Sequence, residues 1–580
     1  DRGKVQFSEL QGIALVVDAV ERFKESLLVL EQVCTTIWNL SCGNDSNRVL
    51  LAQHGMVDLV IRSLQEHREH EDILFCLCGI VRNMGLNESN QHLFMDRGIV
   101  SCLKEIISDR THSQEVLSAT CGAIRNLSTK DVHRVQFLQA GVLTILRELL
   151  ELFSESDLVL GQLFGAIGNL TSGDEFDSDT MADEVLMSLE FALASHDRNP
   201  QSFYAACRAL DNLVSSSSDP SVFVRDSLAD SLDAALLESG DSEDVVIAAC
   251  SAIWSLSSQA GMQKKLGERK VISSLDGLLT RYESCTPVLE QACGALGNLC
   301  ILASNCEQVM KNRTHEKLTK LAHSSSEWEL VYACVGALSN IATHSFSQEP
   351  LIEAGVLSLL RDLLERFSGV ENIMSVSCAA LWSLSSSVKA QGLLGSLNVA
   401  PLVLRTLQES QENASLVCQV AGALWNVSLP EECQLSLLGV GAASVLVDIG
   451  LKYLADSKCL RLLLGSLFNL SSQRSFSEGC DLVQLSKFFL AIINHYDNAE
   501  EEVEVKIVTQ VLDIVGNLAV HEPVQKALDD ARLPTMVARI LVSESCPGKL
   551  LESACSTLVN FPFPCPADGD SPSPVDIKAV

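Results

Sequence analysis

One phrase recurs along the whole chain: small residues, an aliphatic, a variable position, an Asn and a second aliphatic. It reads CGAIRNLS ending at Ser128, FGAIGNLT ending at Thr171, and AGALWNVS ending at Ser428. Its key position falls at Asn39, Asn83, Asn126, Asn169, Asn212, Ser255, Asn298, Asn340, Ser383, Asn426, Asn469, Asn517 and Asn560. Nine of the twelve steps are 43 residues, and the others are 42, 44 and 48. Thirteen units therefore share one period, eleven of them with Asn. A period of about 40–47 residues belongs to solenoids of two or three helices per unit. A chain of 580 residues built this way is one repeating array, not the three to five unrelated domains that length alone suggests.

Punctuation inside the unit sets the number of helices. A Gly stands 28 residues before the key position at Gly55, Gly98, Gly141 and Gly355. The segments that follow, such as GVLTILRELLEL and GVLSLLRDLLERF, carry apolar residues at helical spacing and so bury one face. Polar loops come next, and Ser215–Ser218 reads as one. The helix carrying the key position then completes the unit. A short helix, a Gly corner, a second helix, a loop and a longer third helix resemble the armadillo repeat, whose phrase G-A-L-x-N-L is met here. The predicted fold is all-α: a right-handed armadillo superhelix of about 13 repeats of about 43 residues. It spans residues 1–561 and is followed by a Pro-rich tail, 562–580. The first Gly corner is Gly12, so an upstream first helix is expected.

The resemblance implies that third helices line a concave groove of about 100 Å. Asn both donates and accepts, so a row of Asn can grip the backbone of an extended peptide whatever its sequence. By resemblance the candidates are Asn126, Asn169, Asn212, Asn298, Asn340, Asn426 and Asn469. The competing role is structural, tying each helix to a neighbour. The family's nuclear-import receptors place Trp four residues before the groove Asn. Here that position holds Gly79, Gly122, Gly165, Gly294, Gly336, Gly422 and Gly465, which argues against an import adaptor. Trp254, Trp382 and Trp425 stand one residue before the key position, as do Arg82, Arg125, Asp211 and Phe468. These side chains either face the groove or pack between repeats.

Charge narrows the partners. Lys and Arg number 42 against 74 Asp and Glu, a net −32, which disfavours nucleic acid. Residues 151–250 hold 3 basic and 20 acidic residues, and Asp174, Glu175, Asp177, Asp179, Asp183 and Glu184 form an acidic patch near the end of a third helix. It reads as a solubilising edge or as a dock for a basic segment. Cys34, Cys78, Cys121, Cys207, Cys250, Cys293, Cys378 and Cys555 all stand five residues before the key position, as small packing residues. That usage fits a reducing compartment, the cytoplasm or the nucleus. No cofactor, metal or small-molecule substrate is expected: His67 and His70 stand alone, and phosphate-binding, hydrolase and kinase signatures are absent from the sequence. No membrane insertion is predicted.

The function expected is a non-enzymatic scaffold or adaptor for a protein partner with a basic or extended segment. In length, acidity and architecture the chain also resembles the Smg-type small-GTPase dissociation stimulators. That resemblance implies docking of a GTPase's basic tail on an acidic surface.

Overall fold

The computed structural model describes residues 12–153, 156–171, 186, 189–190, 193, 200–216, 220–238, 242–478, 480–496, 501–542 and 547–561. Every regular element among the described residues is helical. The chain forms two compact units, Asp1–Gln308 and Val309–Val580. Each is an α-solenoid of three-helix repeats.

The repeat at Glu88–Leu127 shows why these residues fold this way. Asn87 caps the first helix, Glu88–Asp96, by accepting from the Asn90 amide at 3.2 Å. Gly98 turns the corner with φ 78 into Ile99–Ser108. Ser113 then caps the third helix, Gln114–Leu127. A side-chain oxygen at each N-cap satisfies one of the amides that a helix start leaves unpaired. In unit 2 the same plan runs through Glu431–Gly439, Gly441 with φ 76, Ala442–Lys452, Asp456 as N-cap and Ser457–Ser471.

The corner is a backbone requirement. Gly55, Gly98, Gly141 and Gly355 all have positive φ, as the sequence predicts, and Arg313, Asn398 and Arg532 adopt the same left-handed conformation with φ 59, 51 and 58. That conformation costs an L-residue about 1–2 kcal/mol, so the tertiary packing imposes it where Gly is missing.

Within each unit, third helices pack against their counterparts in neighbouring repeats and form one continuous layer. Cys34, Cys78, Cys121, Cys207, Cys250, Cys293 and Cys378 are buried in that layer, whereas Cys555 is exposed on Gly548–Val559. Burial pushes the thiols of Cys34, Cys78, Cys121, Cys250 and Cys378 up to about 12, which leaves them inert as nucleophiles at neutral pH. One expectation needs correcting. Ser215 and Ser216 are not in a loop before a third helix; they are the last residues of the third helix Pro200–Ser216. Small polar residues at a helix C-terminus look like loop residues in sequence because both sites expose backbone to water.

Among the described residues no single helix is long and apolar enough to cross a membrane. The pair Glu431–Gly439 and Ala442–Lys452 passes that test together but is bent by 80°.

Candidate partner-binding face

Two ladders organise the third-helix layer. The first joins the residue before each key position to the Gly four before the next one. A Cβ placed on Gly79 would lie 2.9 Å from the Trp38 ring. On Gly294 it would lie 2.5 Å from Trp254, on Gly422 2.6 Å from Trp382, and on Gly465 2.4 Å from Trp425. Arg82 and Arg125 lie in the same way on Gly122 and Gly165, at 2.8 and 2.4 Å. Six of the seven Gly positions that replace an import-type Trp are therefore landing places for the previous repeat's side chain; Gly336, opposite Gly297, has nothing on it. Trp254, Trp382 and Trp425 are half-buried: they pack between repeats and also keep part of their surface at the layer's face.

The second ladder is made by the key Asn residues. Asn83 Nδ2 donates to the Trp38 carbonyl at 3.2 Å, Asn126 to Arg82 at 2.7 Å, Asn169 to Arg125 at 2.7 Å, and Asn212 to Gly168 at 3.2 Å. Asn298 donates to Trp254, Asn426 to Trp382 and Asn469 to Trp425, each at 3.0 Å. Each accepting carbonyl belongs to the last turn of the preceding third helix, where carbonyls lack an intrahelical donor. Each Asn thus ties its helix to the helix before it, at a net gain of about 1 kcal/mol. Asn340 is half-buried at the same place in Trp328–Ala342. Ser255 replaces Asn, and there Asp211 takes over: its carboxylate accepts from Ser251 Oγ at 3.1 Å and from Ser255 Oγ.

Electrostatics separates the two units. In unit 1, burial holds the guanidinium pKa of Arg82 and Arg125 below the usual value, and Arg125 is lowered further by the charges of Arg82 and Arg208. None of these three arginines forms an ion pair among the described residues. In unit 2 the face is aromatic. The Arg461 guanidinium stands 5.8 Å over the Trp425 ring, and Phe468 is 41% exposed. Beyond Phe468 opens a basin of about 940 Å³ floored by Gly516 and Thr557 and bordered by Arg474, Asp513, Asn517 and Val520. Burial pushes the Asp513 carboxyl upward, against the pull of Ser553 and Lys549.

Asp174, Glu175, Asp177, Asp179, Asp183 and Glu184 lie outside the described residues, as does the tail 562–580. His67 and His70 flank the turn between Met56–Glu66 and Glu71–Met84, with ring centroids 6.1 Å apart. Among the described residues no group of three His, Cys, Asp or Glu side chains is placed to hold a metal. Sequence reasoning missed Arg208, which takes the Gly place four before Asn212, and the basin at Gly516. Both were legible as departures from the repeat. It also missed a capping set on the first helices. Asn90 donates to the Arg48 carbonyl at 3.0 Å, Asn305 to Gln263 at 2.8 Å, and Gln263 to Ser257 at 2.9 Å.

No protein-family profile matches the chain. It is 29% identical to a catenin beta of Tripneustes gratilla over 23% of this chain, and that match spans 19% of the catenin's length. Among solved structures it resembles an engineered protein, with a TM-score of 0.53 at 19% identity, covering 80% of this chain and 98% of the other. It also resembles a chain from work on a phosphorylation switch controlling the interaction between cadherin and beta-catenin. That TM-score is 0.55 at 16% identity, covering 90% of this chain and 99% of the other. The fold is that of an armadillo-like repeat protein.

Proposed function

We propose that this armadillo-like chain is a non-enzymatic scaffold or adaptor that holds an extended segment of a protein partner on its third-helix face. The observation that carries the reading is the row of half-buried side chains Trp38, Arg82, Arg125, Trp254, Trp382 and Trp425, in six of the thirteen repeats, each lying on the Gly of the next repeat. Such rigid, partly exposed aromatic and guanidinium groups are what binding hot spots are made of. Asn298 and Asn426 spend one N–H on the inter-helix ladder, whereas Asn469 donates to both the Trp425 carbonyl and Ser428 Oγ, and the reading assigns the second N–H of Asn298 and Asn426 and the amide oxygen of Asn469 to a partner's backbone. The likeness to a chain from work on the interaction between cadherin and beta-catenin supports a protein partner.

Charge sets orientation. In unit 1 the row runs from Arg82 and Arg125 to Asp211, so a segment of complementary charge docks there in one polarity. A net charge of −32 favours a partner whose remaining surface is basic. That same charge, with 20 acidic residues in 151–250, keeps a second reading: a regulator of small GTPases, like the Smg-type stimulators, holding a basic tail. The reading places the protein in a reducing compartment, the cytoplasm or the nucleus.

The test is capture by the immobilised full chain at low and moderate salt. It compares wild type with three variants: R82E/R125E, W382A/W425A, and neutralisation of Asp174, Glu175, Asp177, Asp179, Asp183 and Glu184. The Trp variant is expected to release the partner about thirtyfold more readily at either salt. Release by salt and by acid neutralisation together would select the GTPase-type reading. Capture unchanged by all three variants would overturn the scaffold face.

A further inference from the structure

We infer that unit 2 carries a receiving site for one aromatic side chain of a partner, at Gly516, where the chain's own row of rings stops. The inference rests on the scaffold reading and specifies what that face recognises. The position before the key residue holds Trp382, Trp425 and Phe468 in three successive repeats, and then Gly516. The row is interrupted, and the basin of about 940 Å³ lies where the next ring would stand.

Packing does not require this glycine. Gly422 and Gly465 have no room for a side chain, because Trp382 and Trp425 lie on them. Gly168, which also stands one before a key Asn, is held by the Ala209 backbone: a Cβ there would lie 3.0 Å from Ala209 Cα. At Gly516 a Cβ would meet nothing nearer than Thr557 Oγ1 at 3.6 Å, an ordinary contact. Its φ is not positive, so no turn demands it. It sits inside Glu502–Leu518, where Gly is a poorer helix former than Ala. Neither a clash nor a turn accounts for Gly516, and unlike Gly336, which also has nothing on it, Gly516 lines the basin.

The walls identify the guest. Phe468, 41% exposed, borders one side and Val520, 70% exposed, another. Both are apolar and in reach of a ring, and aromatic pairs prefer offset or edge contacts with centroids about 4.5–7 Å apart. Ser556, where a ring from Gly516's position would land, is small and exposed, as the Gly landing sites are small. The charged and titratable groups of the basin are Arg474, His521 and Asp513. Arg474 is exposed on Arg474–Glu478 and has no ion-pair partner among the described residues. An aromatic side chain with a carboxylate beside it therefore fits: the ring beside Phe468 and the carboxylate at Arg474.

The probe is N-acetyl-5-fluorotryptophan, titrated into the full chain and followed by fluorine NMR. Saturable binding to wild type is expected. Gly516→Trp places the chain's own ring in the opening and is expected to weaken the probe at least about tenfold without lowering the melting temperature. Val520→Asp, at an exposed position that leaves the core untouched, is expected to weaken it by a similar factor, so the test does not depend on one variant folding. Arg474→Ala is expected to weaken the free acid and leave the corresponding amide unaffected. Equal binding by wild type, G516W and V520D, or no saturable binding to wild type, would overturn the inference. If the probe fails while W382A/W425A still releases a captured partner, the aromatic site falls and the scaffold reading stands.

Discussion

Unit 1 and unit 2 use one backbone device with two chemistries. In both, the residue before the key position lies on the Gly four before the next one. In unit 1 Arg82 and Arg125 lie there as well as Trp38 and Trp254, and in unit 2 only Trp382 and Trp425 among the described residues. An Arg stem is flexible and keeps its charge near water, whereas an indole is rigid and buries more apolar area. The same fold thus presents guanidinium groups together with rings in unit 1 and rings alone in unit 2. The fold itself does not dictate which residue stands at that position.

The sharpest way to break the comparison is to give each glycine a methyl group. Gly422→Ala is expected to cost about 2 kcal/mol in unfolding free energy, because the Trp382 ring cannot yield. Gly165→Ala, against the Arg125 stem, is expected to cost under about 1 kcal/mol, because that stem can re-rotamer. Gly516→Ala is expected to gain up to about 1 kcal/mol from helix propensity. Denaturant titration of the three variants gives the order, and an equal cost at Gly422 and Gly165 would erase the distinction.

The Asn ladder is common to both units and should not distinguish them. Asn126→Ala is expected to cost about 1–2 kcal/mol, since it strands the Arg82 carbonyl at a helix end, and Asn469→Ala about 1 kcal/mol, since Ser428 Oγ still donates to the Trp425 carbonyl. Arg125→Met separates the units again. It keeps the stem on Gly165 and removes a guanidinium that burial and the charges of Arg82 and Arg208 disfavour. A gain of about 0.5–1 kcal/mol is expected by the same titration.

The smallest effect is pH dependence in unit 1. His133 is buried with Nε2 3.1 Å from His92 Nδ1, and burial, then His92, holds its pKa below 6.5. The unfolded chain binds a proton that the folded chain refuses. This contribution is therefore fully present above the unfolded pKa and is lost as pH falls below it. His133→Gln is expected to flatten the fall in melting temperature between about pH 7 and pH 5.

Much of the fold was legible because a period of 43 residues survives every local exception. The Gly corners were read from residue identity, and Arg313, Asn398 and Arg532 show that the corner persists without it. The roles of the key Asn and of the Gly four before it were only half legible. Both depend on which residue of the preceding repeat arrives opposite, and that register is set by how helices stack. Asn126 looks the same in sequence whether it meets a peptide or the Arg82 carbonyl. Gly465 and Gly516 look equally permissive, yet one is covered by Trp425 and the other opens on a basin. Only three-dimensional neighbours tell them apart.

The central claim is that, where Gly79, Gly122, Gly165, Gly294, Gly422 and Gly465 stand, the repeat is locked to the preceding one by the side chain lying on that glycine. A double-mutant cycle at Trp425 and Gly465 tests it most directly. Gly465→Ala is expected to cost about 2 kcal/mol in the wild-type background and to become neutral or stabilising in Trp425→Ala, where no ring opposes the methyl group. An equal cost in both backgrounds would contradict the account.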